Sequence, residues 1–376
     1  MCDGVASALA RGRQALGSGQ ARDAALLAAA VVVVLVLPLL LSPFWVQTGV
    51  FALVAAIGAI GLNLLMGSAG VFWVAPSFFF AVGSYSYAVL AVPPAHLLGQ
   101  DVAGVGLPTG VAALLGVLAT GIVGLLLAPL ASRLRTLGLA VASIGMIYVG
   151  QYVLDNATHL TGGTNGRTIP ALNVLGYTFA SSQSLWYLAL TCLIATWLYA
   201  QNLLRSRPGR ALQALRDNPL AAQAMGVNIP LEKAKVYIAS GVISGVCGVM
   251  LALAFQTVQP AYFDFNLSVQ YLAMTILGGL GSPTGAVAGA MIVTLVPSLV
   301  AQYGGFLPFV NTSGSLGSSG LTAQEVSQIV FGIAIIAFLR FIPGGLASIG
   351  PLLADRVQGL LERRARPSAR GPAQAD

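Results

Sequence analysis

The residues whose type and spacing most clearly suggest binding chemistry are six cations between positions 205 and 235. They are Arg205, Arg207, Arg210, Arg216, Lys233 and Lys235. Such a group binds anionic lipid head groups or an acidic protein surface. The same stretch predicts two short helices. The second is well punctuated, because Asn218 suits an N-cap, Pro219 the first turn and Gly226 the C-terminal stop. We expect this helix to pack on lipid head groups or on a soluble partner.

A second set of candidate residues surrounds two glycine-rich interruptions of the apolar sequence. The helix-breaking glycines are Gly67, Gly70, Gly278, Gly279, Gly281 and Gly285. The neutral polar residues near them that we consider for a solute path are Asn63, Ser68, Ser77, Tyr85, Tyr271 and Thr275. Interrupted apolar segments in both halves of a chain are typical of a transport pathway.

Both features also have a structural interpretation. Small residues permit close helix packing, which we favour for Gly285 and Gly289, whereas packing and solute contact stay open for residues 67–77. A hydroxyl inside a membrane span most often bonds a neighbouring helix. The set as a whole therefore predicts a weakly polar path without charge, and no single member does so alone.

No Asp, Glu, Lys, Arg or His lies near the middle of any predicted span. Proton-coupled carriers need intramembrane groups that gain and lose protons, so this class is disfavoured, while Na⁺ coupling through backbone carbonyls stays open. The sequence also contains no Walker A pattern, zinc-ligand spacing or catalytic triad pattern. Cys2, Cys192 and Cys247 are scattered, and we interpret the last two as packing residues. We predict no catalytic residue, no metal site and no cofactor in this chain.

The elements that position these residues are predicted to be membrane-spanning helices. Of the 376 residues, 57% are hydrophobic and only 8% are charged, against roughly a quarter charged in soluble domains. Apolar runs of spanning length recur along the chain, which indicates an all-α polytopic membrane protein with about ten transmembrane helices. The predicted spans are 24–41, 48–66, 74–92, 105–129, 136–154, 183–203, 234–255, 265–281, 284–302 and 323–340.

The distribution of positive charge predicts the orientation of these spans. With a cytoplasmic N-terminus, only Arg167 of the 18 Lys and Arg residues falls in an outer loop. Both termini are then cytoplasmic, in a cytoplasmic membrane, and the net charge of +7 faces the inner lipid surface, so nucleic acid is not needed to explain it. The predicted parts are a cytoplasmic segment 1–23, a membrane domain 24–345 with a cytoplasmic loop 204–233, and a basic cytoplasmic tail 346–376.

Four stretches, in order along residues 50–345, carry a resemblance to a known family. They are residues 61–70 (Gly-Leu-Asn-Leu-Leu-Met-Gly-Ser-Ala-Gly) with 83–85 (Gly-Ser-Tyr), 160–166 (Leu-Thr-Gly-Gly-Thr-Asn-Gly), 209–226 and 277–285 (Leu-Gly-Gly-Leu-Gly-Ser-Pro-Thr-Gly). The chain resembles the LivM-type permease subunit of ATP-binding-cassette (ABC) importers for branched-chain amino acids. Related permeases of that superfamily carry urea, short amides and sugars.

The resemblance implies a set of partners. They are a second, similar permease, two cytoplasmic ABC ATPases that hold ATP and Mg, an extracytoplasmic solute-binding protein and membrane lipid. It also implies that loop 204–233 docks a coupling helix on an ATPase, with Arg210, Arg216, Ala221, Ala222 and Gly226 as candidate residues. Plain membrane anchoring remains the alternative for each arginine taken singly.

The sequence departs from the family pattern at two places. After Gly70 the family usually reads Gln-x-Ser-x-Gly-His-Ala, whereas residues 71–77 here are the bulkier Val-Phe-Trp-Val-Ala-Pro-Ser. The Gly/Ser-rich outer stretch within 303–322 also looks longer than usual. A urea or short-amide permease of the same superfamily and a self-sufficient secondary carrier therefore stay open as alternatives to an amino acid importer.

Overall fold

The computed structural model of the chain describes residues 37–97, 100–134, 136–174 and 176–303, together with 310–311, 321–322, 332, 340 and 346. Several sequence predictions lie wholly or mostly outside these residues. They are segment 1–23, spans 24–41 and 323–340, the outer loop 303–322 and tail 346–376.

Eight predicted spans, from 48–66 to 284–302, each coincide with a helix. In chain order the helices are α1 Pro43–Asn63, α2 Pro76–Ala91, α3 Thr109–Arg133, α4 Thr136–Asn156, α5 Thr158–Thr161, α6 Ser182–Arg205, α7 Arg207–Asp217, α8 Pro219–Ala224, α9 Ile229–Phe255, α10 Phe265–Gly278 and α11 Pro283–Tyr303. Five of them are long and apolar enough to cross a membrane. The predicted all-α polytopic membrane fold is confirmed.

Proline marks several helix starts. Pro43, Pro76 and Pro283 each occupy the first position of a helix. The first turn leaves its N–H groups without intrahelical acceptors, so a residue that lacks an N–H and has a fixed φ costs nothing there. These prolines therefore separate the apolar runs into discrete helices.

The core of the bundle lies around α1 and α9, which are the most completely buried spans. α1 packs against α6, α9, α10 and α11, and α9 packs against α2 and α3. Glycines let α3 and α9 approach closely, since a Cβ on Gly124 would lie 2.5 Å from the carbonyl oxygen of Tyr237. By contrast, α3, α4 and α6 bury a third or less of their apolar stretches inside the protein. Their apolar outer faces are available to lipid or to another subunit.

Short strands, which the sequence analysis did not predict, form at one end of the bundle. β1 Ala95–Leu97 pairs with β2 Gln100–Val102, β3 Arg167–Thr168 with β6 Thr257–Val258, and β4 Leu172–Val174 with β5 Tyr177–Phe179, all antiparallel. Farther along the chain, β7 Val310–Asn311 pairs with β8 Leu321–Thr322 in parallel. We call the end formed by β1–β6 the strand end, and the end formed by α7 and α8 the cationic end.

Candidate functional site

The first glycine-rich break follows α1 directly. Residues Leu64–Ser68 form a π turn, and residues 69–75 then run without helix to the start of α2. Gly70 has φ +64°, a left-handed conformation that glycine adopts without strain. Gly67 has no room for a side chain, because a Cβ there would lie 2.1 Å from the backbone nitrogen of Gly281. The first break is therefore packed directly on the second.

The second break connects α10 to α11 in a tight turn. Gly279 and Gly281 have φ values of +104° and +88°. A Cβ on Gly278 would lie 2.2 Å from the carbonyl oxygen of Gly285, and one on Gly289 would lie 2.1 Å from that of Met274. The glycines of this break serve close packing of α10 on α11.

Asn63, the last residue of α1, holds the two breaks together. Its Nδ2 donates hydrogen bonds to the carbonyl oxygens of Gly279 and Ser282, both at 3.1 Å. Its Oδ1 accepts one from the backbone N–H of Gly281 at 2.7 Å. The side chain is buried, so this predicted path residue braces the turn between α10 and α11 across more than 200 positions of sequence.

Arg216 connects the cationic end to the same place. Its Nη1 donates a hydrogen bond to the carbonyl oxygen of Gly67 in the π turn. A Cβ on Gly70 would lie 3.1 Å from Cγ of Arg216, and one on Gly281 would lie 3.3 Å from its Nη1. Arg210 lies in the same helix as Arg216, but its Nη1 donates a hydrogen bond to the carbonyl oxygen of Arg205 at 3.0 Å. The two predicted coupling arginines thus have different surroundings.

The amphipathic helix α7 holds Arg216 in position. Leu212 and Leu215 are buried, whereas Arg210 and Arg216 lie on the exposed side. α7 packs against the π turn and against α9. The two leucines therefore anchor the helix while its cations stay accessible.

The predicted caps of α8 are present. Oδ1 of Asn218 accepts hydrogen bonds from the backbone N–H groups of Leu220 and Ala221, both at 3.1 Å. At the other end, Gly226 has φ +84° and donates to the carbonyl oxygen of Gln223, while Val227 donates to that of Ala222. This pair of bonds is a Schellman motif.

α8 exposes apolar side chains at the cationic end. Ala222 is fully buried, but Ala221 and Gly226 are exposed. Leu220 is 78% exposed and Met225 72% exposed. The small residues were predicted as coupling residues from the sequence, whereas Leu220 and Met225 were not. Their position could have indicated a docking role, because Leu220 and Met225 are large apolar residues on either side of the small ones in a stretch that is otherwise rich in charge.

The remaining predicted path residues are buried, and all of them except Tyr85 form polar contacts within the protein. Ser77 and Ser268 share a hydrogen bond of 2.6 Å between α2 and α10. Thr275 donates to the carbonyl oxygen of Tyr271 at 2.9 Å, and Ser68 donates to that of Leu64. Tyr271 packs on the ring of Phe80 at 4.6 Å between centroids. Tyr85 lies near the strand end, 6.2 Å from the ring of Phe263, and its hydroxyl has no partner among the described residues.

Two cavities lie among the described helices. One, of about 440 Å³, is an apolar groove between α2 and α4, with Phe78, Gly150 and Gln151 among its lining residues. The other, of about 230 Å³, is lined in part by Gln270, Tyr271 and Thr294. Tyr271, a predicted path residue, lines this second cavity.

The bulky segment 71–77 fills the core. Trp73 is buried, stacks on Phe79 with centroids 5.5 Å apart, and meets Tyr237 edge-on at 5.6 Å. Phe72 points outward and is 43% exposed. The departure from the resembled family at these positions therefore serves packing between α2 and α9.

Arg167, which the sequence analysis noted only as the lone outer cation, is buried at the strand end. Its Nη1 donates to the carbonyl oxygens of Ala103 at 2.7 Å and Leu160 at 3.1 Å. Burial lowers the pKa of its guanidinium from the usual value. The side chain therefore ties the connection between α2 and α3 to the connection between α4 and α6.

Comparison with known proteins adds a family match. Residues 44–339 match the family model described as "Branched-chain amino acid transport system / permease component". The chain is 26% identical over 301 residues to the high-affinity branched-chain amino acid transport system permease protein LivM of Salmonella typhimurium, covering 74% of this chain and 68% of the relative. It is 26% identical over 263 residues to LivH of Escherichia coli, covering 66% and 82%. It is 24% identical over 304 residues to BraD of Pseudomonas aeruginosa, covering 77% and 90%.

Proposed function

The chain belongs to the family of permease components of branched-chain amino acid transport systems, and we propose that it is the membrane subunit of an ATP-driven ABC importer for branched-chain or other hydrophobic amino acids. As a transport permease subunit of the inner membrane, it binds solute without transforming it. Hydrolysis of ATP, with its Mg²⁺, takes place in a separate ATPase.

The exposed apolar surface of α8 carries this proposal. Leu220 and Met225 are 78% and 72% exposed, and α8 is stabilised by hydrogen-bonded caps at both ends. A rigid helix that shows apolar side chains between cations suits insertion into a cleft of a soluble partner. We assign this partner as the ATPase, and we call residues 218–226 the docking segment.

The positive charges support the assignment of sides. Because Lys and Arg concentrate in cytoplasmic loops, the cationic end with the docking segment faces the cytoplasm. The strand end then faces outward, where its paired strands offer a firm surface to a solute-binding protein.

A second permease completes the proposed assembly. The apolar outer faces of α3 and α4 are exposed, which suits contact with a similar subunit as well as with lipid. The chain resembles both LivM and LivH of Escherichia coli, so pairing of two similar but different permeases is consistent with its relatives. ATP-driven closure of the ATPase pair then moves the docking segments and alternates access to the path.

Substitution of Leu220 tests the assignment of the docking segment. Leu220→Glu places a charge on the apolar surface, and burial of a leucine contributes about 1.5–3 kcal/mol, so we expect at least a ten-fold weaker association with the ATPase. The matched control is Tyr177→Glu, since Tyr177 is 62% exposed on the hairpin at the strand end. Co-purification and solute-stimulated ATP hydrolysis are the readouts. Equal ATPase binding by both variants would place the docking surface elsewhere.

A further inference from the structure

The contact between Arg216 and Gly67 joins the docking segment to the glycine-rich breaks. Arg216 lies near the end of α7, and Asn218 is the single residue between α7 and α8. Its guanidinium extends from α7 toward the π turn, where Nη1 donates a hydrogen bond to the carbonyl oxygen of Gly67. Gly67 lies in the last turn of a helical run that ends at Ser68, where carbonyl oxygens lack intrahelical donors. Arg216 therefore binds α1 where its helix ends.

Glycine is required at three positions around this contact. At Gly70 a Cβ would meet Cγ of Arg216 at 3.1 Å, with φ +64°. At Gly281 a Cβ would meet both Nη1 of Arg216 and the carbonyl oxygen of Gly67 at 3.3 Å, with φ +88°. At Gly67 it would collide with the backbone of Gly281 at 2.1 Å. The three glycines together admit one long cationic side chain and the close approach of two backbone turns.

The same cluster links the two halves of the chain. Asn63 bonds Gly279, Gly281 and Ser282, and Gly67 packs on Gly281. Thus Arg216 touches a unit formed by the end of α1 and the turn between α10 and α11. We call Asn63, Gly67, Gly281 and Arg216 the break junction.

The break junction is well placed to transmit movement. α7 is anchored by buried Leu212 and Leu215 and packs on the π turn, while α8 exposes most of its residues. A displacement of the docking segment is therefore transmitted to α7 through one connecting residue, and from α7 to the end of α1 through the hydrogen bond of the Arg216 guanidinium. Hydrogen bonds that involve a charged group are stronger than neutral ones and directional, which suits this contact.

We propose that Arg216 is the positioning residue that couples the docking segment to the two glycine-rich breaks, so that its loss separates ATP hydrolysis from solute movement. This inference rests on the proposed function as an importer subunit. It differs from the expectation that Arg216 pairs with an acidic residue of the ATPase, because the bond that matters is internal to the permease.

The test measures leucine transported per ATP hydrolysed. The whole importer, with its second permease, ATPases and binding protein, is reconstituted in proteoliposomes with Arg216→Gln, and Arg207→Gln is the matched control. Arg207 is an exposed arginine at the start of the same helix. We expect Arg216→Gln to keep ATPase association and stimulated hydrolysis within about two-fold of the control, while leucine uptake per ATP falls at least ten-fold. The same ratio in both variants would overturn the inference.

A second variant approaches the contact from the other side. Gly281→Ala leaves α7 untouched but places a methyl group against Nη1 and the Gly67 carbonyl, so it should lower the same ratio. If the Arg216→Gln permease does not insert into the membrane, Gly281→Ala is the deciding variant. A wild-type ratio of leucine transported per ATP overturns the inference, and a ten-fold decrease in that ratio supports it. If wild-type permease does not bind the ATPase at all, the proposed function itself fails, which is a different result from a retained ratio in a bound complex.

Discussion

Replacement of Asn63 is the sharpest test of how the two breaks are held. Asn63→Ala removes three hydrogen bonds, two donated by Nδ2 to the carbonyls of Gly279 and Ser282 and one accepted from Gly281. Each is worth about 1 kcal/mol net, and the backbone N–H of Gly281, which loses its acceptor, adds to the cost, so we expect destabilisation of about 3–5 kcal/mol. Asn63→Asp keeps the acceptor but turns an oxygen toward two carbonyls, and it should be at least as harmful.

The assay measures the apparent free energy of unfolding of the purified permease. The permease is held in micelles of a mild detergent and titrated with sodium dodecyl sulfate, and unfolding is followed by the loss of the helical circular dichroism signal. Thr196→Val is the control, because Thr196 is also buried but its hydroxyl bonds only the carbonyl of Cys192 within its own helix. We expect the control to lose less than about 1 kcal/mol. If Asn63→Ala and Thr196→Val lose the same amount, the brace does not hold the breaks together and our reasoning is wrong.

Two further predictions concern the docking segment and the bulky segment 71–77. Gly226 has φ +84°, and a Cβ there would touch nothing within 4 Å. Alanine in this conformation costs about 1–2 kcal/mol of strain, whereas asparagine tolerates it, so Gly226→Ala should reduce stimulated ATP hydrolysis more than Gly226→Asn. Equal losses would show that side-chain volume matters there instead. Trp73→Ala should lower the free energy of unfolding by about 3–5 kcal/mol, because a fully buried aromatic side chain is deleted. Its neighbour Phe72 is half-exposed, so Phe72→Ala should lower the free energy of unfolding by less than about 1 kcal/mol. Comparable decreases would mean that Trp73 does not fill the core.

The helices were predictable because their signals are local. Apolar runs of spanning length and prolines at first turns define the eight spans, and Asn218, Pro219 and Gly226 define α8 without reference to the rest of the chain. The positions of both breaks followed from their glycines in the same way. Element bounds differed by only a few residues, the largest differences being at the starts of α1, at Pro43 and not at 48, and of α9, at Ile229 and not at 234.

The partners of the site residues were not predictable, because they come from distant parts of the sequence. Asn63 was considered as a solute contact, but its hydrogen-bonding groups meet a turn more than 200 positions away. Arg216 was considered for contact with an ATPase, but it binds the carbonyl of Gly67, 149 positions earlier. Composition alone did not distinguish Trp73, which fills the core, from Phe72, which lies outside it. The short strands at the strand end also depend on pairing between distant segments, as for Arg167 with Val258.

Leucine uptake into proteoliposomes, with and without the ATPase subunits, shows whether this permease transports amino acids at the expense of ATP. The permease pair and its binding protein are reconstituted with wild-type ATPase, with an ATPase unable to hydrolyse ATP, or with none, and labelled urea is the second probe. We expect concentrative leucine uptake only with active ATPase and ATP. Leucine uptake driven by an ion gradient in the absence of any ATPase would contradict it, and uptake of urea in place of leucine would contradict the proposed solute class.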